Sequence, residues 1–289
     1  MASHYDSLGL STSALPLLRD VIHERLGLFY DNSRLDTLGD RLAPLVVERG
    51  FDSYLDYYYL LKYDAASSDE WQRVMDALSV PETYFWREID QIQAMAEHVI
   101  PELLRAAPFA PLRIWSVPCA SGEEPLTIAM VLEEARLFEQ GTIEIHGSDA
   151  SVAAIQKARA GRYRERAFRS LPASLRERYF EPAGDMWSAR PSLSARVTSW
   201  SVANLLTESD VAAHAGSRVV FCRNVFIYFS AAALQRAIGY LERWMPSPAY
   251  LGLGASESLL KASTAFHLEE VGGAFIYVKK RGHDGTGRV

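Results

Sequence analysis

The sequence predicts an α/β protein built on a doubly wound, mostly parallel sheet, with an N-terminal helical domain and a small antiparallel β insert. Three observations support this fold class. Amphipathic helical runs fill the chain up to about residue 80, apolar strand-like runs alternate with helices after Pro111, and the segment Tyr179–Ser201 interrupts that alternation. Alternating strands and helices are typical of a parallel sheet that helices cover on both faces.

The N-terminal helical domain is predicted to span residues 1–80, and residues 81–105 are predicted to form a linker and helix. Apolar residues recur at helical spacing in four runs, which Gly, Asn, Asp and Ser separate. The predicted helices are Leu15–Leu26, Arg34–Glu48, Tyr54–Leu61 and Asp69–Leu78.

The larger domain is predicted to span residues 106–282. Within it, short alternating runs on both sides of the turn Ala183–Asp185 indicate an antiparallel insert at about 179–201, to which we also assign Arg196–Trp200. Residues 283–289 are Gly-rich and are predicted to be a disordered tail. Strands of the main sheet are predicted near residues 112–117, 143–148, 218–223, 250–254 and 275–280.

Composition and charge disfavour several classes of protein. The 289 residues are 48% hydrophobic and carry a net charge of −6, with a pI near 5.7, so we expect no binding to nucleic acid. No apolar run could cross a bilayer and the first residues lack a signal-peptide pattern, so we expect a cytoplasmic protein without membrane insertion. Two cysteines and seven scattered histidines show no ligand spacing, so we expect no metal.

The segment Pro118–Pro125 is the strongest indication of a ligand. It joins a predicted strand to a predicted helix at Leu126–Arg136, a place where a nucleotide-binding turn uses several glycines to receive a pyrophosphate. Here Gly122 is the only glycine, and Glu123 and Glu124 would repel a phosphate. A ligand with an ammonium and a sulfonium, such as S-adenosylmethionine, suits the turn better. An acidic first helical turn favoured by the helix dipole is the alternative.

A second acidic residue stands at the end of the next predicted strand. Asp149 follows the alternating run Thr142–Ser148, and Ser151 is predicted to cap a helix that ends near Gly161. A carboxylate at this place in a doubly wound sheet can accept hydrogen bonds from ribose hydroxyls. On its own, Asp149 could equally be a turn residue.

Over nearly its whole length the chain resembles the CheR-type chemoreceptor glutamate methyltransferases. The resemblance depends on four blocks, and the string Cys-Arg-Asn-Val-Phe-Ile-Tyr-Phe in the last of them is highly specific. These blocks are Glu82–Glu88, Trp115–Pro125, Lys157–Tyr163 and Phe221–Phe229.

The resemblance implies transfer of a methyl group from S-adenosylmethionine to glutamate side chains of methyl-accepting chemoreceptors. The implied partner is the cytoplasmic helical domain of these receptors, and we expect the enzyme to be a monomer. Carried over position by position, the family's cofactor contacts fall on Thr83, Arg87, Glu124, Asp149, Asn204, Leu205, Arg223 and Asn224.

The resemblance assigns catalysis to Arg87 and Tyr228. An acceptor glutamate with a pKa of about 4.3 is already an anion at neutral pH, so no general base is needed. Catalysis is then positioning and exclusion of water, for which a guanidinium fork and a tyrosine hydroxyl are suited. From the residues alone, Arg87 could be a surface charge beside Glu88, and Tyr228 a core aromatic residue.

Two positions depart from the family's pattern. Pro81 stands where the family usually has an asparagine, which removes one hydrogen bond to the cofactor. The helix 34–49 interleaves Arg with Asp and Glu, where the family's receptor-facing helix is rich in Arg. A compensating surface is the stretch Lys157–Arg178, whose eight positive and two negative residues sum to +6, although a solvated helix face would look the same.

Two other functions remain open on the sequence. One is a noncatalytic module that binds S-adenosylmethionine or S-adenosylhomocysteine and signals through protein contacts. The other is a nicotinamide-dependent dehydrogenase on a similar sheet, against which the single Gly122 and the glutamate pair argue.

Overall fold

The structure is a computed structural model that describes residues 11–64, 67–80, 82–260 and 262–280. Pro81 and the predicted tail at 283–289 lie outside these ranges. Within the described residues, no helix combines the length and the apolar character that a membrane span requires.

The N-terminal helical domain has its helices where the sequence predicts them. Ser53 caps the third helix by accepting a hydrogen bond from the backbone N–H of Asp56 at 3.2 Å. The apolar faces meet in one core, in which Leu18, Ile22 and Leu42 are fully buried. The helices are α1 Leu15–Leu26, α2 Leu35–Glu48, α3 Tyr54–Tyr63 and α4 Ser68–Leu78.

The remaining helices connect and cover the sheet. A π-helical turn at Met95–Val99 separates α5 from α6. They are α5 Asp90–Ala94, α6 Ile100–Ala106, α7 Glu123–Glu134, α8 Val152–Ala160, α9 Ala173–Tyr179, α10 Pro191–Ser194, α11 Glu208–Ala213 and α12 Ala231–Trp244.

The strands form two sheets. They are β1 Leu112–Ser116, β2 Ile143–Asp149, β3 Arg162–Tyr163, β4 Phe180–Ala183, β5 Met186–Ala189, β6 Val197–Val202, β7 Val219–Phe221, β8 Ala249–Gly252, β9 Phe266–Val271 and β10 Ala274–Lys279. The large sheet has the order β6-β2-β1-β7-β8-β10-β9. The first five strands in this order are parallel, whereas β10 is antiparallel to its neighbours β8 and β9. The small sheet is antiparallel, in the order β3-β5-β4. This confirms the predicted fold class.

One strand assignment from the sequence was wrong, and two strands were not predicted. Arg196–Trp200 does not belong to the insert, because Val197–Val202 pairs in parallel with β2 as the edge of the large sheet. The third strand of the insert is instead Arg162–Tyr163, which pairs with β5. Phe266–Val271 was not predicted as a strand, since three of its six residues are His or Glu on an edge that faces solvent.

The helical domain packs directly on the sheet domain. Gly27, at the end of α1, has a left-handed φ of 72°, and a Cβ there would lie 2.3 Å from Leu206 Cδ1. The backbone N–H of Phe29 donates to the carbonyl of Tyr228 at 2.8 Å. Leu28 and Phe229 form an isolated antiparallel bridge. The chain around Tyr228 is therefore held by the other domain.

A half-buried histidine lies beside the first strand. Trp115 is fully buried and stacks on His214, with ring centroids 4.4 Å apart. The Nε2 atom of His214 lies 3.2 Å from the hydroxyl of Ser148 and 3.3 Å from that of Ser201. Burial lowers the pKa of His214 to about 4, so the folded protein holds this imidazole neutral at pH 7.

We expect the free energy of unfolding to fall as the pH drops from about 6.5 to about 4. The unfolded chain protonates His214 near pH 6.5, whereas the folded chain resists protonation until about pH 4, so the contribution is complete above this window and lost through it. His214→Gln should lessen the fall by up to about 2 kcal/mol, a value discounted for partial exposure.

Urea unfolding at about pH 7.5 and about pH 4.5 measures this difference, with the exposed His267→Gln as the control. Equal pH dependence in the parent and the His214 variant would show that another group is responsible.

Candidate active site

A cavity of about 300 Å³ lies between the carboxyl ends of β1, β2 and β7 and the helical domain. This volume is within the range of small-molecule sites. The cavity is lined by all nine residues that the sequence assigned to the site: Thr83, Arg87, Glu124, Asp149, Asn204, Leu205, Arg223, Asn224 and Tyr228. The topology therefore brings together residues that lie far apart in sequence.

The turn after β1 requires its single glycine. Gly122 has a φ of 96°, and a Cβ there would lie 3.0 Å from Trp200 and 3.1 Å from Tyr163 Oη. Helix α7 begins at Glu123 rather than at the predicted Leu126, because Pro125 in the first turn has no N–H that needs a partner. Both glutamates of the turn are therefore first-turn residues of the helix.

The two glutamates have different environments. Glu123 is buried outside the cavity lining and accepts a hydrogen bond from Ser121 Oγ at 2.8 Å, and burial raises its pKa to about 7. Glu124 lines the cavity, accepts from Ser116 Oγ at 2.7 Å and lies 3.2 Å from Arg223 Nη1. Burial raises the pKa of Glu124, and Arg223 opposes that rise. Glu124 is thus already held by protein partners, which favours a role in fixing the turn.

Asp149 links the end of β2 to the turn. Its Oδ2 accepts the backbone N–H of Ala120 at 2.9 Å, and its Oδ1 accepts that of Ser151 at 2.9 Å. Burial raises the pKa of Asp149, while these two backbone hydrogen bonds lower it. Each carboxylate oxygen has a second lone pair, so Asp149 can still accept hydrogen bonds from a ligand.

Asn204 and Leu205 form another wall of the cavity. Asn204 Oδ1 accepts the backbone N–H of Leu206 at 2.9 Å, and the backbone N–H of Asn204 donates to Asp210 at 2.9 Å. These bonds fix the side chain and leave the amide NH₂ available as a donor. Leu205 is 5% exposed and offers an apolar surface.

The segment 82–88 forms the rim that faces the turn. Phe85 is fully buried and packs against Tyr163, Phe168 and Phe180, with ring centroids 4.7 to 5.1 Å apart. This anchor holds the neighbouring residues in place while Arg87 points into the cavity. Arg87 Nη1 donates to the carbonyl of Glu82 at 2.8 Å.

Arg223 joins this segment to the turn. Its side chain is 1% exposed, and its Nη2 donates to the carbonyls of Arg87 and Glu88 at 2.9 and 3.0 Å. The same atom lies 3.2 Å from Glu88 Oε2, and Nη1 lies 3.2 Å from Glu124 Oε2. Arg223 is therefore a buried cation between two carboxylates, and its contacts are those of a residue that holds the site together.

Asn224 and Tyr228 follow β7. Asn224 has a left-handed φ of 60°, and its Nδ2 donates to Glu88 Oε1 at 3.3 Å. Its backbone N–H donates to Glu257 Oε2 at 2.8 Å. The hydroxyl of Tyr228 has no hydrogen-bond partner in the part of the chain that the structure describes. It is therefore free to donate to a ligand.

Sequence reasoning missed two acidic residues of the site. Glu88 accepts hydrogen bonds from Arg223, Asn224 and the backbone of Ala255. Burial, the largest single effect, raises the pKa of Glu88, but the charge of Arg223 and these hydrogen bonds together leave that pKa lowered. Asp76 lines the cavity from α4 of the helical domain. Glu88 lay inside a block already singled out, whereas nothing in the sequence near Asp76 indicates a site.

Much of the positive charge between residues 157 and 178 is paired. Arg166 and Arg169 both contact Glu82, at 3.2 and 2.7 Å. Arg176 pairs with Glu165, and Arg178 pairs with Glu134. Lys157 lines the cavity without an ion pair among the described residues. The surface is therefore less positive than the sequence count indicates.

No cluster of three or more His, Cys, Asp or Glu side chains that could hold a metal ion occurs within the described ranges.

Comparison with known families identifies the family of the chain. Residues 81–273 match the family model described as CheR methyltransferase, SAM binding domain. Residues 13–79 match the model described as CheR methyltransferase, all-alpha domain. The chain belongs to the CheR methyltransferase family. It is therefore a methyltransferase-family chain with an S-adenosylmethionine-binding domain, as the resemblance in sequence implied.

Two relatives are similar in sequence to most of this chain. Chemotaxis protein methyltransferase 2 of Vibrio cholerae serotype O1 is 33% identical over 252 residues, which cover 87% of each chain. The probable biofilm formation methyltransferase WspC of Pseudomonas putida is 31% identical, over 90% of this chain and 60% of that protein. Among solved structures, magnesium protoporphyrin IX methyltransferase from Synechocystis with bound SAM is 14% identical, with a TM-score of 0.32, over 78% of this chain and 93% of that one.

We expect Arg223→Ala to lower the free energy of unfolding of this CheR-family protein by about 3 kcal/mol, because it leaves Glu88 and Glu124 without their buried partner. Arg223→Lys should recover only part of the loss, since an ammonium cannot reproduce the planar fork. Urea unfolding at neutral pH measures both values.

The control is Arg243→Ala, which removes an arginine whose side chain is 68% exposed and which pairs with Glu208 at the surface. It should cost less than about 1 kcal/mol. Similar losses in the Arg223 and Arg243 variants would contradict a structural role for Arg223.

Proposed function

We propose that this chain is a protein-glutamate O-methyltransferase that uses S-adenosylmethionine and modifies the cytoplasmic helical domain of methyl-accepting chemoreceptors. One observation carries the proposal: the residues expected to bind the cofactor and the two expected to act on a carboxylate, Arg87 and Tyr228, line the same cavity. Membership in the CheR methyltransferase family supports it.

The chemistry of the cavity fits the cofactor. Asp149 retains acceptor positions for ribose hydroxyls, and Asn204 and Leu205 offer a donor and an apolar surface for adenine. The carboxylates of Glu124 and Asp149 on the lining can receive an ammonium and a ribose. Thr83 and Asn224 also line the cavity.

The part of the cavity that receives the glutamate to be methylated needs only to hold an anion. Arg87 uses Nη1 on the carbonyl of Glu82, and its Nη2 has no hydrogen-bond partner among the described residues. That nitrogen and the free hydroxyl of Tyr228 can both donate to an acceptor carboxylate. Because a glutamate is ionised at neutral pH, no residue has to remove a proton.

When bound, S-adenosylmethionine supplies an electrophilic methyl group, which the acceptor oxygen takes to give a methyl ester while the sulfonium becomes a neutral thioether. The protein's part is to align and desolvate the carboxylate. Phe29 and Val225 line the cavity with apolar surface and limit water around that carboxylate.

The net charge of −6 constrains how an acidic partner approaches. Lys157, on the cavity lining, is the cation of the 157–178 stretch best placed to attract it, since four of the others are paired with carboxylates. The relatives named chemotaxis protein methyltransferase support a chemoreceptor as the partner. We expect the enzyme to act as a monomer and not to bind nucleic acid.

The proposal is tested with methyl-labelled S-adenosylmethionine and membranes that contain one chemoreceptor at a time. The expected product is a label on the receptor that mild base releases as methanol, because an ester hydrolyses under these conditions. A receptor with its acceptor glutamates replaced by alanine is the control. Binding of S-adenosylhomocysteine without any transfer would instead indicate a noncatalytic module.

We expect Tyr228→Phe to lower kcat by roughly tenfold, because it removes one hydrogen bond to the reacting carboxylate and preserves the ring. Affinity for S-adenosylhomocysteine should stay within about twofold of the parent, since the loss is on the acceptor side. Initial rates at saturating cofactor and titration calorimetry measure the two quantities. The exposed Tyr59→Phe is the control, and normal turnover in the Tyr228 variant would remove this residue from catalysis.

A further inference from the structure

The helical domain forms hydrogen bonds with the loop that follows β2. Asp76 Oδ1, on α4, accepts a hydrogen bond from Ser151 Oγ at 2.6 Å and lies 3.4 Å from the backbone nitrogen of Ala153. One helical turn earlier, Gln72 Nε2 donates to the carbonyl of Ala150 at 3.0 Å. The same amide lies 3.3 Å from Asp76 Oδ1, which fixes both side chains against the loop.

These contacts reach the residue next to Asp149, which is predicted to bind the ribose of the cofactor. The backbone N–H of Ser151 donates to Asp149 Oδ1, and the backbone N–H of Ala120 in the turn donates to Asp149 Oδ2, both at 2.9 Å. An unbroken chain of hydrogen bonds therefore runs from Asp76 through Ser151 and Asp149 to the turn after β1. Moving α4 would move the carboxylate of Asp149.

Packing and helix capping support the same contact between the domains. Ala150 packs against the apolar core of the helical domain, so the loop is buried between the two domains. Ser151 accepts the backbone N–H of Ala154 and caps α8, and Asp76 adds a negative charge at the same helix N-terminus. Asp76 also lines the cavity with Met75 and Leu78 of α4.

We propose that Asp76 is a positioning residue through which the helical domain sets the protein's affinity for its cofactor. Asp76 holds Ser151 and thereby the carboxylate of Asp149, so the sheet domain's cofactor site is complete only when α4 is docked. This inference rests on the proposed use of S-adenosylmethionine. By linkage, the bound cofactor must tighten the docking of α4 by the same free energy.

The first experiment measures binding of S-adenosylhomocysteine by titration calorimetry. Asp76→Ala should raise Kd by about tenfold, the effect of losing one charge-assisted hydrogen bond that orders the site. Asp76→Asn keeps an acceptor for Ser151 and should recover part of the affinity. Asp69→Asn, an exposed residue on the same helix, is the matched control and should bind like the parent.

Kinetics separate positioning from a general loss of structure. In Asp76→Ala the KM for S-adenosylmethionine should rise while kcat at saturating cofactor stays within about twofold, because the residue acts through the cofactor loop. Ser151→Ala should have the same effect on KM. The double variant Asp76→Ala/Ser151→Ala should raise KM no further than either single variant, since both substitutions break the same series of hydrogen bonds.

Hydrogen exchange tests the reciprocal effect. S-Adenosylhomocysteine should slow exchange of the α4 amides in the parent and in Asp69→Asn, and should have little effect on α4 in Asp76→Ala.

The outcomes distinguish this inference from the proposed function. If the parent binds S-adenosylhomocysteine and Asp76→Ala binds it equally well, the positioning role is wrong and the proposed cofactor stands. Additive losses in the double variant, or a fall in kcat without a change in KM, would also contradict positioning. Failure of the parent to bind would overturn both claims.

Discussion

The buried guanidinium of Arg223 joins the three segments on which the cavity depends. It bonds to the backbone at residues 87 and 88, and it lies between the carboxylates of Glu88 and Glu124. A buried cation is stable only with such partners, so the rim, the turn after β1 and the end of β7 have to adopt their positions together. The backbone carbonyl of Arg87 accepts from this guanidinium, and Asn224 donates to Glu88, the same carboxylate that Arg223 contacts.

The helical domain is a wall of the cavity as well as a cover for the sheet. It contributes Phe29 beside Tyr228, and Asp76 beside the loop that carries Asp149. A doubly wound sheet places its ligand site at the carboxyl ends of its strands, where it is open to solvent. Methyl transfer to a carboxylate benefits from exclusion of water, which strengthens the electrostatic contacts to the reacting anion. The helical domain covers part of this end of the sheet.

Much of this architecture could be predicted from local sequence. Helix caps and apolar periodicity locate the helical domain and most of the parallel strands, and the acidic turn and the end of β2 indicate Glu124 and Asp149. The other predicted residues of the cavity depend on the resemblance to the CheR family. Val197–Val202 was misassigned because a parallel edge strand and an antiparallel one share the same alternation, and only its pairing with β2 separates them. The contact of Gln72 with Ala150 could not be predicted, because 78 residues separate them and no local pattern marks either. The bridging role of Arg223 likewise depends on segments distant in sequence.

The most direct test of this account is the ligand that the cavity selects. A turn with one glycine, in which Glu124 lines the cavity beside Asp149, should accept a cationic sulfonium compound and its thioether product and should reject a pyrophosphate. Titration calorimetry of the purified protein with S-adenosylhomocysteine and, separately, with NAD measures this selectivity. The account predicts saturable binding of S-adenosylhomocysteine at one site per chain and no binding of NAD. Saturable binding of NAD, or binding of neither compound, would contradict it.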